Sequence, residues 1–288
     1  MARDLSKLTL AQRVERSIQK KYRDELWGPF IAGIQEYRLL QPGDRVCVCI
    51  SGGKDSMLLA KLMQMLQRRS DFPFEARYLV MDPGYTPENR QKILDNAALL
   101  DIPVEVRQSA IFASVEAVEK NPCYLCARMR RGYLYQYARE LGCNKIALGH
   151  HFSDVVETTL MGLLYGAQIQ AMMPKLHSKN YPGMELIRPM YRVHEEDILA
   201  WARYNGLSFL QCACRFTEKA ETEGRESLSK RKETKALLKE LRKTNPDVEK
   251  HIFAAIHMVN MDTLLGWKRD GVEHSFLEGY EGRGGDGA

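Results

Sequence analysis

Residues 46–56 read VCVCISGGKDS, and these eleven residues are the most informative part of the sequence about the fold. Its first five residues are all apolar, which is typical of a strand that helices cover on both faces of a parallel sheet. Two glycines, Gly52 and Gly53, follow the strand. Beyond them, leucine and methionine recur at helical spacing from Leu58 to Leu66. The stretch therefore predicts a strand, a glycine turn and a helix.

The same alternation continues through the middle of the chain. Strands are predicted at residues 76–81, 104–106, 145–148 and 186–189, and helices at residues 87–100, 127–142 and 195–204. Strands that alternate with helices indicate an α/β protein with a doubly wound, Rossmann-like parallel sheet.

The chain has 288 residues, a length that allows one large domain or two modest ones. A turn-forming QPGD sequence at residues 41–44 separates a helical start from the α/β region. We predict an N-terminal helical extension at residues 1–40, an α/β domain at 41–215, and a basic helical C-terminal extension with a flexible tail at 216–288. Within the last part, Asn245-Pro246 predicts the start of a helix with one apolar face that extends to Thr263.

Composition places the chain among ordinary globular proteins. Apolar residues make up 44% of it and charged residues 27%, which excludes collagen-like, wholly disordered and disulfide-dense classes. No apolar run follows the charged N-terminal residues, so no secretory signal is expected. The longest uncharged stretch, residues 158–174, is interrupted by glycines and is shorter than the roughly 18 residues of a membrane span. We expect a soluble, cytoplasmic protein without membrane segments.

Positive charge is concentrated at the two ends of the chain. Residues 1–23 and residues 230–243 each hold seven basic and two acidic side chains, whereas the net charge of the whole chain is only +5. Such flanks suit a polyanion such as RNA. A solvated helix face is the equally open alternative.

The glycine turn has the features of a phosphate-binding site. Glycines let the backbone approach a ligand closely, and the N-terminus of the following helix presents amide groups to an anion. Lys54 adds positive charge, and Asp55 can hold Mg²⁺ against the phosphates; a plain turn is the alternative. The candidate nucleotide-binding residues here are Ser51, Gly52, Gly53, Lys54, Asp55 and Ser56. The spacing differs from that of P-loop kinases and GTPases, so γ-phosphate transfer is not expected.

Further candidate residues follow two other predicted strands. Gly149, His150 and His151 come directly after the strand at 145–148, and Asp82 ends the strand at 76–81. Open α/β sheets bind ligands at the carboxyl ends of their strands, so we expect at least one histidine to face the nucleotide. The other histidine fits a buried, hydrogen-bonded position. Asp82 can contact a ribose or a metal, or it can cap a turn.

The cysteines indicate metal or thiol chemistry. An odd number, seven, argues against a disulfide framework in a reducing compartment. Cys123 and Cys126 can place two thiolates on one metal or cluster, and Cys212 or Cys214 can supply a third. Three ligands leave one iron of a cluster open to carry sulfide. Zinc bound by all four cysteines is the alternative.

A helical face after this cysteine pair suits RNA. Arg128, Arg131, Tyr135 and Arg139 recur at helical spacing. Arginine can pair with phosphates or stack on bases, and unstacked bases favour aromatic partners. A solvent-facing stripe is the alternative interpretation.

These sequences resemble a known family. SGGKDS at residues 51–56 resembles the PP-loop of ATP pyrophosphatases, which cleave ATP between the α and β phosphates and adenylate a carbonyl oxygen. More specifically, residues 14–261 resemble the TtcA family of tRNA 2-thiocytidine synthetases. The other specific matches are residues 123–132 and 148–151, followed by Asp154, Glu157 and Thr158.

The resemblance implies a PP-loop domain with ATP and Mg²⁺, a 4Fe-4S cluster on three cysteines, and thiolation of a cytidine in a tRNA anticodon loop. Two positions depart from the family pattern. Ser153 stands where the family has the first of two aspartates, and Cys212-Ala213-Cys214 stands where it has one cysteine. Alignment on the preceding aromatic residue, Phe209, points to Cys212 as the third ligand, with Cys214 as the competing one.

The predicted function is ATP-dependent tRNA thiolation that forms AMP and pyrophosphate. ATP adenylates the C2 oxygen of cytidine, and sulfur then replaces AMP. The residues expected to carry the reaction are Lys54, Asp55, Cys123, Cys126 and Cys212. The expected partners are tRNA, a sulfur donor such as a cysteine desulfurase or sulfide, and a second copy of the chain. The alternatives are a PP-loop ligase of the lysidine-synthetase type and a non-catalytic RNA-binding or redox-sensing module.

Overall fold

A computed structural model describes residues 8–116, 122–210 and 229–278 and residue 280. Its centre is a six-stranded sheet in the order β3-β2-β1-β4-β6-β5. The strands are β1 Arg45–Ile50, β2 Glu75–Asp82, β3 Val104–Gln108, β4 Lys145–Ala147, β5 Lys175–His177 and β6 Glu185–Ile187. All neighbours pair in parallel except β5, which lies antiparallel to β6 at the edge. The predicted doubly wound α/β sheet is confirmed.

Helices cover both faces of this sheet. The α-helices are α1 Leu10–Gln19, α2 Gly28–Glu36, α3 Lys54–Gln67, α4 Pro87–Leu99, α5 Ile111–Glu116, α6 Pro122–Glu140, α7 Phe152–Gly166, α8 Glu195–Tyr204, α9 Ser229–Thr244 and α10 Val248–Ala255. A π-helical turn, Arg23–Trp27, separates α1 from α2. None of the helices described here combines the length and apolar character that crossing a membrane requires.

Strand β1 explains why the sheet needs two helical layers. Val46, Val48 and Ile50 are buried in one apolar core, and Cys47 and Cys49 are buried in the other. Successive side chains of a strand point to opposite faces, so a continuous apolar run places one row in each core. The first core holds side chains of α1 to α4 and α8, and the second holds side chains of α6. The helices before residue 41 therefore share a core with the sheet.

The C-terminal region differs from the prediction. The last α-helix starts at Val248 with Asp247 as its N-cap and ends at Ala255, so the helix predicted to continue to Thr263 is wrong. A two-stranded antiparallel hairpin follows, formed by β7 Gly266–Arg269 and β8 Val272–Ser275. Its two loop residues, Asp270 and Gly271, have φ angles of +51° and +86°. An Asp-Gly pair in this conformation is a strong signal for a tight hairpin, and the sequence analysis missed it.

The strand order places one edge of the sheet at a switch point. From β1 the chain proceeds outward to β2 and β3, and it then returns to β4 on the other side of β1. The connections that leave β1 and β4 diverge at their carboxyl ends, where doubly wound sheets bind ligands. Residues 51–56 and 148–151 lie at these two ends.

Candidate active site

The loop that follows β1 is shaped by glycine. Gly52 has a φ of +88°, and a Cβ atom at this position would lie 2.5 Å from Cγ1 of Ile93, so no larger residue fits. Gly53 is the N-cap of α3, and no side chain caps the first amides of this helix. Uncapped amides at a helix N-terminus form a binding site for an anion such as phosphate.

The hydroxyl group of Ser56 closes this loop. Its Oγ donates to the Gly53 carbonyl oxygen at 2.9 Å and lies 3.1 Å from the Ser51 amide nitrogen, from which it accepts. The Ser51 hydroxyl donates to Oγ of Ser56 at 3.2 Å. Ser56 is buried whereas Ser51 is exposed. Ser56 therefore braces the loop, and Ser51 is the serine that a ligand can reach.

Lys54 is held between two carboxylates. Its Nζ lies 3.1 Å from Oδ2 of Asp55 and 3.0 Å from Oε1 of Glu195, which is the first residue of α8. Burial opposes the charge of this lysine, but the two carboxylates raise the pKa of Lys54 above its ordinary value. Burial also opposes ionisation of Glu195, yet the Lys235 and Lys54 ammonium groups lower its pKa to about 2. Both groups are charged at neutral pH.

The two carboxylate oxygens of Asp55 have different surroundings. Its Oδ2 pairs with Lys54, but its Oδ1 is buried and has no hydrogen-bond partner among the described residues. The nearest basic atom recorded is Nε2 of His151 at 3.7 Å. An unpaired buried carboxylate oxygen is costly, so this atom is a candidate ligand for a cation.

The two histidines after β4 have different environments. His151 is buried and is the N-cap of α7, where its Nδ1 accepts from the Asp154 amide at 3.4 Å. His150 lines a cavity, and its Nδ1 has no hydrogen-bond partner in the described part of the chain. Burial, followed by the nearby Arg188 charge, lowers the pKa of His150 to about 4, so the ring is neutral at pH 7.

A cavity of about 490 Å³ lies at the carboxyl ends of β1 and β4, and Lys54 and His151 are not among the described residues that line it. Ser51, Asp55 and His150 line it together with three arginines. The arginines are Arg130 and Arg131 of α6 and Arg231 of α9. A cavity of this size beside the N-terminus of α3, with three arginines in its wall, suits a nucleotide polyphosphate.

Comparison with known proteins identifies the family. The PP-loop domain model matches residues 11–215. The tRNA-cytidine(32) 2-sulfurtransferase of Alkalilimnicola ehrlichii is 37% identical over 238 residues, which cover 80% of this chain and 72% of the relative. The enzyme of Geobacter metallireducens is 33% identical over 259 residues, 86% of this chain and 94% of the relative. The chain belongs to the tRNA-cytidine(32) 2-sulfurtransferase family.

A solved structure supports the fold of this family member. The U34-tRNA thiolase NcsA from Methanococcus maripaludis, determined with its [4Fe-4S] cluster, aligns with a TM-score of 0.63. The alignment covers 80% of this chain and 76% of NcsA at 19% identity. At that identity the similarity concerns the fold alone.

Helix α9 of this sulfurtransferase-family chain docks onto the acidic rim of the site. Nε of Arg231 lies 2.7 Å from Oε2 of Glu157, and the same guanidinium group pairs with Asp154. Nζ of Lys235 lies 2.9 Å from Oε2 of Glu195. Part of the basic segment at residues 230–243 therefore neutralises carboxylates of α7 and α8, a role that its composition did not reveal.

Asp82 lies at the end of β2 and caps a turn. Its Oδ1 accepts from the amides of Gly84 and Tyr85 at 2.8 Å and 2.7 Å. Its Oδ2 lies 3.8 Å from Nε of Arg90. This geometry corresponds to the turn-capping alternative that the sequence left open, and a ribose or metal contact of Asp82 stays a prediction.

The cysteine pair lies at the start of α6. Cys126 is buried against Met81, Ile111 and Phe112, and the next residue, Ala127, lines the cavity. The side chain of Cys123 and all of Cys212 and Cys214 lie outside the described residues. Within the described ranges, no group of three histidine, cysteine or acidic side chains is arranged for a metal ion.

Proposed function

We propose that the cavity between β1 and β4 binds ATP and that the enzyme uses it to thiolate C2 of a cytidine in tRNA. The observation that carries this proposal is the buried Oδ1 of Asp55, which has no hydrogen-bond partner among the described residues and lies beside the N-terminus of α3. A polyphosphate with a bound cation would satisfy both at once.

In this proposal the loop after β1 binds the phosphates of ATP. The glycine turn brings backbone amides close to the phosphate oxygens, and the exposed Ser51 hydroxyl donates to them. Lys54 exchanges its contact with Glu195 for a phosphate oxygen. Glu195 keeps a partner after the exchange, because Lys235 lies 2.9 Å from it. Glu195 can therefore release Lys54 and still keep a cationic partner.

Asp55 is the candidate ligand for Mg²⁺. Hard oxygen donors suit this cation, and Oδ1 of Asp55 is such a donor without another partner in the described residues. A cation held there would reduce the negative charge on the phosphates and favour departure of pyrophosphate.

Cys123, Cys126 and Cys212 are the proposed ligands of a 4Fe-4S cluster. Cys123 and Cys126 both belong to the first turns of α6. The amide of Leu210, two residues before Cys212, donates to the Gly52 carbonyl oxygen at 3.3 Å. Held by these three cysteines, a cluster would have one iron without a protein ligand and would supply a place to carry sulfide.

The proposed reaction consists of two successive substitution steps. The C2 oxygen of cytidine attacks the α-phosphorus of ATP, and pyrophosphate leaves. Sulfide then attacks C2, and AMP departs with the former C2 oxygen. Lys54 and Asp55 contribute by positioning the phosphates and by stabilising the charge that develops on them. A sulfur donor such as a cysteine desulfurase or free sulfide must replace the sulfur that each turnover consumes.

Product analysis tests this proposal. With tRNA, ATP, Mg²⁺ and sulfide, we expect AMP, pyrophosphate and 2-thiocytidine from the cluster-containing protein, measured by chromatography and mass spectrometry. Asp55→Ala should abolish all three products, whereas Asp95→Ala, at an exposed position of α4, should leave them unchanged. Formation of ADP and phosphate would contradict the proposal.

The choice of the third ligand has its own test. Cys212→Ser should lose both iron and thiolation, whereas Cys214→Ser should keep its iron, as measured by iron and sulfide content after anaerobic purification. Loss of iron only in Cys214→Ser would reverse the assignment. Loss in both would give the cluster four ligands and remove the open iron.

A second copy of the chain and a cytoplasmic location complete the proposal. A mass of two chains in analytical ultracentrifugation is the expected result for the homodimer, and a mass of one chain would contradict it.

A further inference from the structure

A second, larger cavity lies beside the proposed ATP cavity. It measures about 780 Å³ and lies between α6 and the connection from β5 to β6. Ala127, Arg131 and Leu186 line both cavities, so the two share a wall. A ligand in the second cavity would therefore lie next to the phosphates of ATP.

The lining of this second cavity is cationic. It contains Arg128, Arg131, Lys179 and Arg188, and no aspartate or glutamate is among the described residues that form it. Elsewhere around the site, Lys54, Arg231 and Lys235 are paired with carboxylates. Four cations around one concavity, with no acidic side chain among its described lining residues, favour an anionic ligand.

Arg188 is the most informative of these cations. Its residue is only 8% exposed, and one guanidinium nitrogen donates to the Met173 carbonyl oxygen. Its Nε is buried and has no hydrogen-bond partner in the described part of the chain. An unpaired buried donor on a charged group costs free energy, and an acceptor that enters the cavity would remove this cost.

The cavity also contains a fixed aromatic surface. The Tyr181 ring stacks on the Tyr135 ring with centroids 5.1 Å apart and an interplanar angle of 12°. The Tyr181 hydroxyl donates to the Gly132 carbonyl oxygen at 3.2 Å, which fixes the ring against α6. Tyr135 is buried, so the partly exposed Tyr181 is the aromatic residue that a base can reach.

We propose that this second cavity binds a single-stranded stretch of the RNA substrate. Arg128, Arg131 and Lys179 hold backbone phosphates, and Arg188 binds an acceptor of the nucleotide that approaches the ATP cavity. Enzymes that modify a base take it out of the stack, and single-stranded RNA binds through cations and aromatic faces. The inference rests on the proposed function because it uses the same substrate and the adjoining ATP cavity.

RNA binding by the full chain tests this inference. The probe is a fluorescently labelled anticodon stem-loop RNA, and its affinity is measured by anisotropy over a range of salt concentrations. Arg128→Ala and Lys179→Ala change exposed residues and should each weaken binding about tenfold, because a charge-assisted contact contributes about 1.5 kcal/mol. Each should also reduce the slope of log affinity against log salt by about one.

The matched control is Arg77→Ala. Arg77 is an exposed arginine of β2 and does not line either cavity. Its replacement should leave the affinity and the salt slope unchanged. Binding of a fluorescent ATP analogue should be the same in all variants, since none of them changes the loop after β1.

Two outcomes would overturn the inference. Unchanged RNA affinity and salt slope in both Arg128→Ala and Lys179→Ala would show that RNA does not occupy this cavity. An equal loss in Arg77→Ala would show that positive charge anywhere on the surface is sufficient. If the cavity variants weaken RNA binding but wild-type protein forms no AMP, the inference stands and the proposed function fails.

Discussion

Two lysines at opposite ends of the sheet have similar partners and different environments. Lys145 starts β4, and its Nζ lies 3.1 Å from Oδ2 of Asp44 and 3.0 Å from Oε2 of Glu185. Lys54 follows β1 at the other end, and it too pairs with two carboxylates. The Lys145 side chain is 7% exposed, whereas the Lys54 side chain is 23% exposed.

The groups around Lys145 and those around Lys54 differ in how many carboxylate oxygens have hydrogen-bond partners. Around Lys145, both oxygens of Asp44 accept hydrogen bonds, from Gln41 and Asn144, and Lys145 also donates to the Leu39 carbonyl oxygen. Around Lys54, Oδ1 of Asp55 has no partner in the described residues. A buried cluster whose polar atoms all have hydrogen-bond partners stabilises the fold. A cluster with an oxygen that has no partner can bind a ligand.

Lys54→Met should have the largest effect on the reaction. It removes the charge that we assign to the phosphates of ATP, so AMP formation should fall about 10²- to 10³-fold. The fold should persist, because Glu195 retains Lys235. The measurement is AMP formed per minute, with circular dichroism to verify folding, and an unchanged rate would place the nucleotide elsewhere.

Lys145→Met should have the opposite profile. It leaves Asp44 and Glu185 as buried carboxylates without their cation, which costs about 3–5 kcal/mol of unfolding free energy. AMP formation per folded molecule should be unchanged at low temperature. Denaturant unfolding measures the loss, and a normal stability would show that this cluster is not structural.

Arg231→Gln should have a smaller, local effect. Glu157 is 4% exposed and would lose its closest cation, so docking of α9 should weaken by about 1–3 kcal/mol. Faster amide hydrogen exchange in α9 and α7 is the expected result. Lys239→Gln, at an exposed position of the same helix, is the control and should exchange like the wild type.

The smallest predicted effect is a pH dependence from His150. Its pKa is about 4 when folded and 6.5 when free, so the unfolded chain binds more protons between these values. The contribution of His150 to stability is complete above pH 6.5 and is lost as the pH falls toward 4. Stability of His150→Asn should therefore decline less steeply over this window in denaturant unfolding. Parallel curves for both proteins would contradict the assigned burial.

The sheet and the loop after β1 were predictable because they depend on local pattern. The apolar run of β1 with its glycine turn predicts both, and the positions of His150 and His151 follow from the end of β4. Other features depend on contacts distant in sequence. Glu195 and Arg231 reach the site from α8 and α9, and no spacing in the chain pairs them with Lys54 or Glu157. The β7–β8 hairpin also depends on local pattern, and Asp270-Gly271 was sufficient to predict its turn.

The fate of the cytidine oxygen is the sharpest test of the proposed reaction. The proposed reaction requires the C2 oxygen of the target cytidine to leave with AMP, because that oxygen attacks the α-phosphorus of ATP. With tRNA that carries oxygen-18 at this position, mass spectrometry should find the label in AMP, in an amount equal to the 2-thiocytidine formed. Unlabelled AMP alongside 2-thiocytidine, or ADP in place of AMP, would contradict the assigned reaction.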